Sequence, residues 1–266
     1  MRDVNLLIQN GVNVQKGLEI FGDVGVYNET LEDFLRAADD KLSKIKTYKE
    51  MSDMNNYAIL VHSLKSDANY FGFERLGEIA LAHENESKAN NVAFVNENFE
   101  PLINEANRIV ALVKQYLNAP TQTSSPAPAT NVNVAESNII EKKSILIVDD
   151  SDIISNYIKK VFDDTFDCLI AKDGREALNI LEQNSDSNII GVFLDLYMPN
   201  VDGFAVLDYF KEKDLFNKIP VTIITGNDDK EVDQRAFSYP IVDMLKKPFN
   251  ERTLKAVIDK MMLYIK

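Results

Sequence analysis

With 266 residues, 45% hydrophobic and 27% charged, the chain has enough apolar material for packed cores and enough length for two domains of roughly 100–150 residues. Its net charge of −13, from 29 Lys/Arg against 42 Asp/Glu, excludes a nucleic-acid surface, which needs clustered cations to displace counterions from phosphates. The acid is spread evenly: residues 1–118 hold 12 basic and 18 acidic side chains and residues 144–266 hold 15 and 22, so no basic module hides inside an acidic average.

The opening residues, Met1-Arg2-Asp3-Val4-Asn5, lack the charged-then-apolar pattern of a secretory leader. From there to residue 118 the apolar period is helical. Leu31, Phe34, Leu35, Ala38, Leu42 and Ile45 recur at three- and four-residue intervals without a proline, which predicts one long amphipathic helix. Asp53-Met54-Asn55-Asn56 reads as the capped start of a second helix, running to about Phe71 with Gly72 as its stop. A third covers about Phe73–Lys88. A fourth is expected to begin near Pro101, which a first turn tolerates, and to run to Asn118. Four amphipathic helices with short connections predict an antiparallel all-α bundle over residues 1–118.

At Ala119–Lys143 the composition changes to a Pro/Ser/Ala-rich stretch with prolines at 120, 126 and 128 and no aromatic residue. It cannot bury a core and reads as a flexible linker over 119–143. Scaling for a flexible chain gives those 25 residues a root-mean-square span of roughly 25–30 Å.

Beyond the linker the period changes. Ser144–Val148, Phe166–Ala171, Ile189–Leu194, Pro220–Thr225 and Ile241–Lys246 read as short strands, each followed by a helical stretch: Ile153–Phe162, Arg175–Gln183, Phe204–Lys213, Glu231–Phe237 and Glu251–Ile265. Five strands alternating with five helices over 144–266 imply an α/β, doubly wound parallel sheet covered on both faces. The lone Cys168, in the second strand, excludes internal disulfides and Cys-rich zinc sites and fits a reducing compartment; a lone thiol there is a small core residue. Apolar runs such as Ile189–Leu194 break well before the ~18 residues a bilayer needs. The chain is expected to be soluble and cytoplasmic.

In such a sheet the functional crevice lies at the carboxyl ends of the strands. There the first strand leads into Asp149-Asp150, the third into Asp195, the fourth ends in Thr225 and the fifth runs into Lys246-Lys247-Pro248. Three gathered carboxylates must raise a pKa or bind a cation, and a partly hydrated all-oxygen site suits Mg²⁺. A Lys and a Thr facing the same point can hold phosphoryl oxygens, so the set suits placing a phosphoryl group on a carboxylate. Alone, Asp-Asp reads as a helix cap and Lys-Pro as a turn; the four motifs together do not.

Ile147-Val148-Asp149-Asp150-Ser151, Leu194-Asp195-Leu196-Tyr197-Met198-Pro199 with Asp202-Gly203, Thr225-Gly226 and Lys247-Pro248-Phe249 resemble the receiver domain of bacterial response regulators. The resemblance covers essentially all of 144–266 and implies a flavodoxin-like (βα)5 fold. It implies that Asp195 is the phosphoacceptor, that Asp149, Asp150 and Asp195 hold Mg²⁺ with the backbone carbonyl of Tyr197, that Thr225 is the switch hydroxyl and that Lys247 contacts the phosphoryl group. A haloacid-dehalogenase-type phosphatase would want a second Asp where Tyr197 stands. Met244 replaces the usual aromatic residue three positions before Lys247, so the sequence departs from the family at the aromatic half of the switch. Bulky Tyr197 is expected to obstruct hydrolytic water and slow self-dephosphorylation.

Both histidines lie before the linker. On a helix, Ile59, Leu60, Leu64, Ala68 and Phe71 form the buried stripe, while His62, Lys65, Ser66 and Asn69 share the opposite side. Lys65 is placed to neutralise an anion on the His62 ring, and small Ser66 leaves the ring open to a docking partner. The segment from His62 to Gly72, with Lys16-Gly17-Leu18, Phe21-Gly22-Asp23 and Tyr27 through Phe34, resembles the histidine phosphotransfer (HPt) domain, whose motif His-x-Leu-Lys-Gly has Ser66 here in place of glycine. This implies that His62 is a phosphohistidine site supported by Lys65. His83 has Glu86 three residues on, which would repel a phosphoryl group, and reads as a surface or packing residue. Asp39-Asp40, Asp163-Asp164 and Asp228-Asp229 read as solvated turns or helix ends.

Together the resemblances imply a phosphorelay protein of a bacterial two-component system that moves a phosphoryl group between His62 and Asp195. They imply sensor histidine kinases, hybrid ones included, and other receiver or HPt proteins as partners. The alternative is a phosphorylation-gated adaptor or phosphate sink in which His62 relays nothing. No glycine-rich phosphate loop or ATP lid is evident, so the chain is not expected to be an ATP-using enzyme. Output is expected to pass through protein contacts.

Overall fold

In a computed structural model of the chain, the described residues are 2–118, 142–183, 188–226 and 229–264. Most of the expected linker (119–141), Asp228 and Ile265 lie outside them. Helices α1 (Asn5–Gln9), α2 (Val14–Phe21), α3 (Val24–Glu50), α4 (Met54–Phe71), α5 (Glu74–Lys88) and α6 (Val92–Asn118) make the first half. The Asp23 side chain starts α3 by accepting the Val26 N–H at 3.0 Å, and Asp53 starts α4 by accepting from Asn56 at 3.2 Å. Gly72 ends α4 in the left-handed conformation at φ 74°, where a Cβ would lie 2.1 Å from the Asn13 carbonyl oxygen.

The fourth long helix departs from expectation. It begins at Val92, nine residues earlier, and carries Pro101 in its interior rather than its first turn. Pro101 and Glu97, whose carbonyl loses its helical partner there, are both exposed, so water can satisfy that carbonyl. The inward side of α6 buries Val95, Leu102, Ile109, Val113 and Tyr116 fully. At the bundle centre Phe71 packs its ring against those of Phe21, Tyr27, Phe34 and Phe73, with centroids 5.4–5.9 Å apart.

The second half is a five-stranded, all-parallel sheet in the order β2-β1-β3-β4-β5. Its strands are β1 (Ser144–Val148), β2 (Asp167–Ala171), β3 (Ile189–Asp195), β4 (Val221–Thr225) and β5 (Asp243–Lys246). The strand β4 starts after Pro220, which has no N–H for the ladder, although its carbonyl still accepts from Val192 at 3.0 Å. Ile145 and Ile147 face α7 (Asp152–Phe162) and α11 (Glu251–Tyr264), while Leu146 and Val148 face α8 (Gly174–Gln183), α9 (Gly203–Glu212) and α10 (Lys230–Ala236). Both faces are covered, as continuous apolar strands require.

The two halves share a core. The apolar cluster under α7 and α11 is continuous with the bundle interior. Phe21 meets Tyr157 edge-on at 5.0 Å, and Tyr70 meets Phe249 edge-on at 5.7 Å. The Tyr157 hydroxyl donates to the Ile20 carbonyl at 2.7 Å, and Lys160 pairs with Glu29 at the rim. None of the helices among the described residues is long and apolar enough to cross a membrane.

Candidate functional site

The strand ends bring the expected polar residues of the second half together. Ligand atoms of Asp149, Asp150 and Asp195 lie within 4.8 Å of one another, with Asp149 and Asp195 fully buried. Lys247, just past β5, places its Nζ 2.7 Å from Asp149 Oδ2 and also pairs with Asp195. Thr225, the last residue of β4, is buried beside them. Asp195 Oδ1 accepts the Tyr197 N–H at 3.0 Å, and Asp149 Oδ1 accepts the Ser151 N–H at 2.9 Å. Burial pushes the Asp149 carboxyl up to about 7, with Asp195 and Asp150 adding to the rise and Lys247 opposing it. Asp150 is raised by burial too, against the pull of Lys41. Burial alone would lower Lys247, but Asp149 and Asp195 hold its ammonium well above the usual lysine range. Lys247, with Lys41 shared between Asp150 and Asp67, leaves the negative charge of the three carboxylates only partly compensated, and the donor set is all hard oxygen. That chemistry fits Mg²⁺.

His62 projects from α4 toward this pocket. The sequence placed it with Lys65 and Ser66 on an open face; in the fold the α/β half covers that face, and His62 keeps only 2% of its surface. Its ring packs against Tyr197, two residues past Asp195, with centroids 5.4 Å apart, and its Nε2 lies beside Gly226, the residue after Thr225. On the far side Nδ1 meets Glu84 Oε1 of α5 at 2.7 Å. Burial alone would raise the Glu84 carboxyl, but the hydrogen bond with His62 and the charges around it hold it far below the usual range. An ionised carboxylate can only accept, so Nδ1 donates to it, and in the neutral imidazole the lone pair is then on Nε2. Nε2 has no hydrogen-bond partner among the described residues.

Lys65 lies on the Nδ1 side of the ring, paired with Glu84 at 2.7 Å and donating to the Gly226 carbonyl at 3.2 Å. Lys88 also reaches Glu84 at 2.7 Å and lies over the Tyr197 ring. A second bridge runs from Ser151 Oγ to Asp67 Oδ1 at 2.9 Å, with Lys41 paired to the same carboxylate. A cleft of about 520 Å³ between the halves leads to Asp150, flanked by Arg36, Lys41, Lys44 and Lys172.

Residues 145–259 match the family described as the response regulator receiver domain, and residues 29–119 match the Hpt domain. This chain joins an HPt domain to a receiver domain. It is 31% identical over 121 residues to the hybrid signal transduction histidine kinase L of Dictyostelium discoideum, covering 44% of this chain and 7% of that one. It is 32% identical over 115 residues to the transcriptional regulatory protein CpxR of Klebsiella pneumoniae, covering 43% and 47%. The crystal structure of a response regulator receiver domain protein from Clostridium thermocellum aligns at a TM-score of 0.42 and 28% identity, covering 46% of this chain and 94% of that one. The chain thus spans less than half the length of these curated relatives.

Several residues of the HPt–receiver junction carry no sequence signal of their own. Glu84 sits 22 positions from His62 beside a histidine of no catalytic geometry; Lys41 and Asp67 pair within the bundle, and only docking adds Ser151 to Asp67 and Lys65 to the Gly226 carbonyl. His83 is a packing residue: it is buried, takes the Tyr57 hydroxyl at Nδ1 (2.8 Å) and donates from Nε2 to the Asn98 carbonyl (3.1 Å). Cys168 is half-buried, and burial pushes its thiol up to about 11. Met244 packs half-buried in the core on the α8–α10 side.

Proposed function

We propose that this chain is a phosphorelay protein in which a phosphoryl group passes between His62 Nε2 and Asp195 within one molecule. The observation that carries it is the docking of the unpartnered Nε2, its ring held by Glu84, against Tyr197 and Gly226 at the mouth of the aspartate pocket. In the forward step an Asp195 oxygen attacks phosphorus as the P–N bond to Nε2 breaks, and the electron pair returns to the imidazole. Glu84 stabilises the ring whichever way the group moves, because it takes the Nδ1 proton's hydrogen bond in both states. Lys247 is placed to move from the Asp195 carboxylate to a phosphoryl oxygen, and Thr225 to bond another. Asp149, Asp150, Asp195 and the Tyr197 carbonyl would hold Mg²⁺, which would offset the charge of carboxylates and phosphoryl oxygens. The domains divide at 1–118 and 144–266, with 119–143 as the tether, and the partners are histidine kinases and further receiver or HPt domains.

Acetyl phosphate supplied with Mg²⁺ should label Asp195 first and His62 after it, at a rate independent of protein concentration. His62→Gln should leave the label on Asp195, and Asp195→Asn should remove it from both. Label confined to Asp195 in the wild-type chain would favour a phosphate sink. In the His62→Gln background, Tyr197→Asn should shorten the half-life of the Asp195 phosphate, because a wide aromatic shield is exchanged for a small polar group that admits water. An unchanged half-life would remove Tyr197 from that role.

A further inference from the structure

At Gly226 the receiver backbone leaves no room for a side chain against α4. A Cβ built on Gly226 would fall 2.9 Å from Ser66 Oγ and 3.3 Å from His62 Nε2. The imidazole cannot retreat, since Glu84 holds its opposite edge and Tyr197 its face. Ser66 is 4% exposed and its Oγ has no hydrogen-bond partner among the described residues, so burial, and not a bond, limits where the hydroxyl can turn. The Gly226 carbonyl is engaged in addition by Lys65. The φ of Gly226 lies outside the left-handed region, so its backbone does not require glycine. What demands glycine there is the facing helix.

We propose that Ser66 and Gly226 form a size-matched pair that selects the receiver this HPt domain serves. A receiver with no side chain after its β4 threonine accepts Ser66 against it; one with a methyl or larger group there is held off, and Nε2 loses its approach to the aspartate. This rests on the relay reading above and adds the partner's identity to it: the preferred receiver is the one in the same chain. The step concerned is the in-line exchange of P–N for P–O already described, which tolerates little displacement of the reacting atoms.

The test uses the full chain with Gly226→Ala, Ser66→Ala and the double variant. Alanine at 66 keeps the helix and removes the hydroxyl that the new methyl would strike. Transfer to His62, normalised in each variant to its own Asp195 label, should fall roughly tenfold or more in Gly226→Ala, as expected of an overpacked contact, and recover most of that loss in the double variant. Diethyl pyrocarbonate modification of His62 gives a second readout that needs no phosphoryl transfer. Gly226→Ala should expose His62 to the reagent and the added Ser66→Ala should protect it again. Wild-type transfer and protection in Gly226→Ala, or a loss that Ser66→Ala does not restore, would overturn the pairing. If the wild-type chain transfers nothing while the protection pattern appears, the relay reading fails and the pairing stands.

Discussion

The two chemical centres of this chain are assembled in opposite ways. The aspartate pocket is gathered by one domain: four of its five strands, β1, β3, β4 and β5, each contribute a polar residue at or just after their last ladder position. The histidine centre is completed by several elements from both domains. His62 comes from α4, Glu84 and Lys88 from α5, and Tyr197 and Gly226 from the receiver. A pocket that topology gathers can stand alone. A helix face becomes a site only when something covers it, and here the cover is the receiver domain.

That contrast predicts where each centre breaks. The largest effect belongs to Lys247→Met, which strips the ammonium from the fully buried Asp149 and Asp195. Removing one partner from a buried ion pair costs about 3–5 kcal/mol, and urea unfolding in chelator should show a loss of that order. Mg²⁺ should restore much of it, because the cation binds the folded cluster and not the unfolded chain. A variant whose stability is the same with and without Mg²⁺ would mean that the three carboxylates do not form a cation site.

Glu84→Ala tests the other centre and comes next in size. It leaves Lys65 buried without its carboxylate, but Lys88 is about a third exposed and can turn to water, so the cost should lie near the lower end, about 3 kcal/mol. The same change frees the imidazole to exchange its tautomer. Nitrogen chemical shifts of His62 should then show the proton shared between Nδ1 and Nε2, where the wild type holds it on Nδ1.

The same contrast explains what could be read in the sequence. The strands and the polar residues at their ends were legible because a parallel sheet writes itself as apolar runs, and the strand-end rule turns linear spacing into a common point. The start of α4 was legible from Asp53, and its end from Gly72. The start of α6 was not, because Pro101 suggests a first turn to any local rule; only burial of Val95 and Phe99 on the same stripe reveals the earlier turns. His62 was legible as a candidate. The face it occupies read as open because helical periodicity separates a polar side from an apolar one and cannot distinguish solvent from a second domain. Glu84 needed tertiary structure to be seen at all.

The two histidines sharpen the point within one bundle. His62 is bonded at one nitrogen; His83 is bonded at both, to Tyr57 and Asn98, and burial holds its pKa below the usual histidine value. The unfolded chain therefore binds a proton near pH 6.5 that folded His83 refuses. Stability from this source is fully present above that pH and is lost as the pH falls toward the folded value. Between pH 7 and 5 the wild type should lose stability faster than His83→Gln, by at most one proton's worth, about 1.4 kcal/mol per pH unit. Parallel pH profiles would show that His83 is protonated in the fold.

The smallest effect isolates the junction from both centres. Tyr157 lies on α7, and its hydroxyl donates to the Ile20 carbonyl of the bundle at 2.7 Å while its ring keeps the edge contact with Phe21. Tyr157→Phe removes that bond, together with the one the hydroxyl accepts from the Glu251 backbone, and preserves the packing. The expected loss is about 1 kcal/mol, the net worth of a buried neutral hydrogen bond, with the unsatisfied Ile20 carbonyl setting the upper side. If the domains dock as one core, this should appear both as a small shift of the unfolding midpoint and as faster diethyl pyrocarbonate modification of His62, which lies on a different helix of the bundle from Ile20 and Phe21. A shift in stability with unchanged protection of His62 would mean that the Tyr157 contact stabilises the fold locally and that docking is held by the other contacts of the junction, among them Asp67–Ser151, Lys65–Gly226 and Tyr70–Phe249.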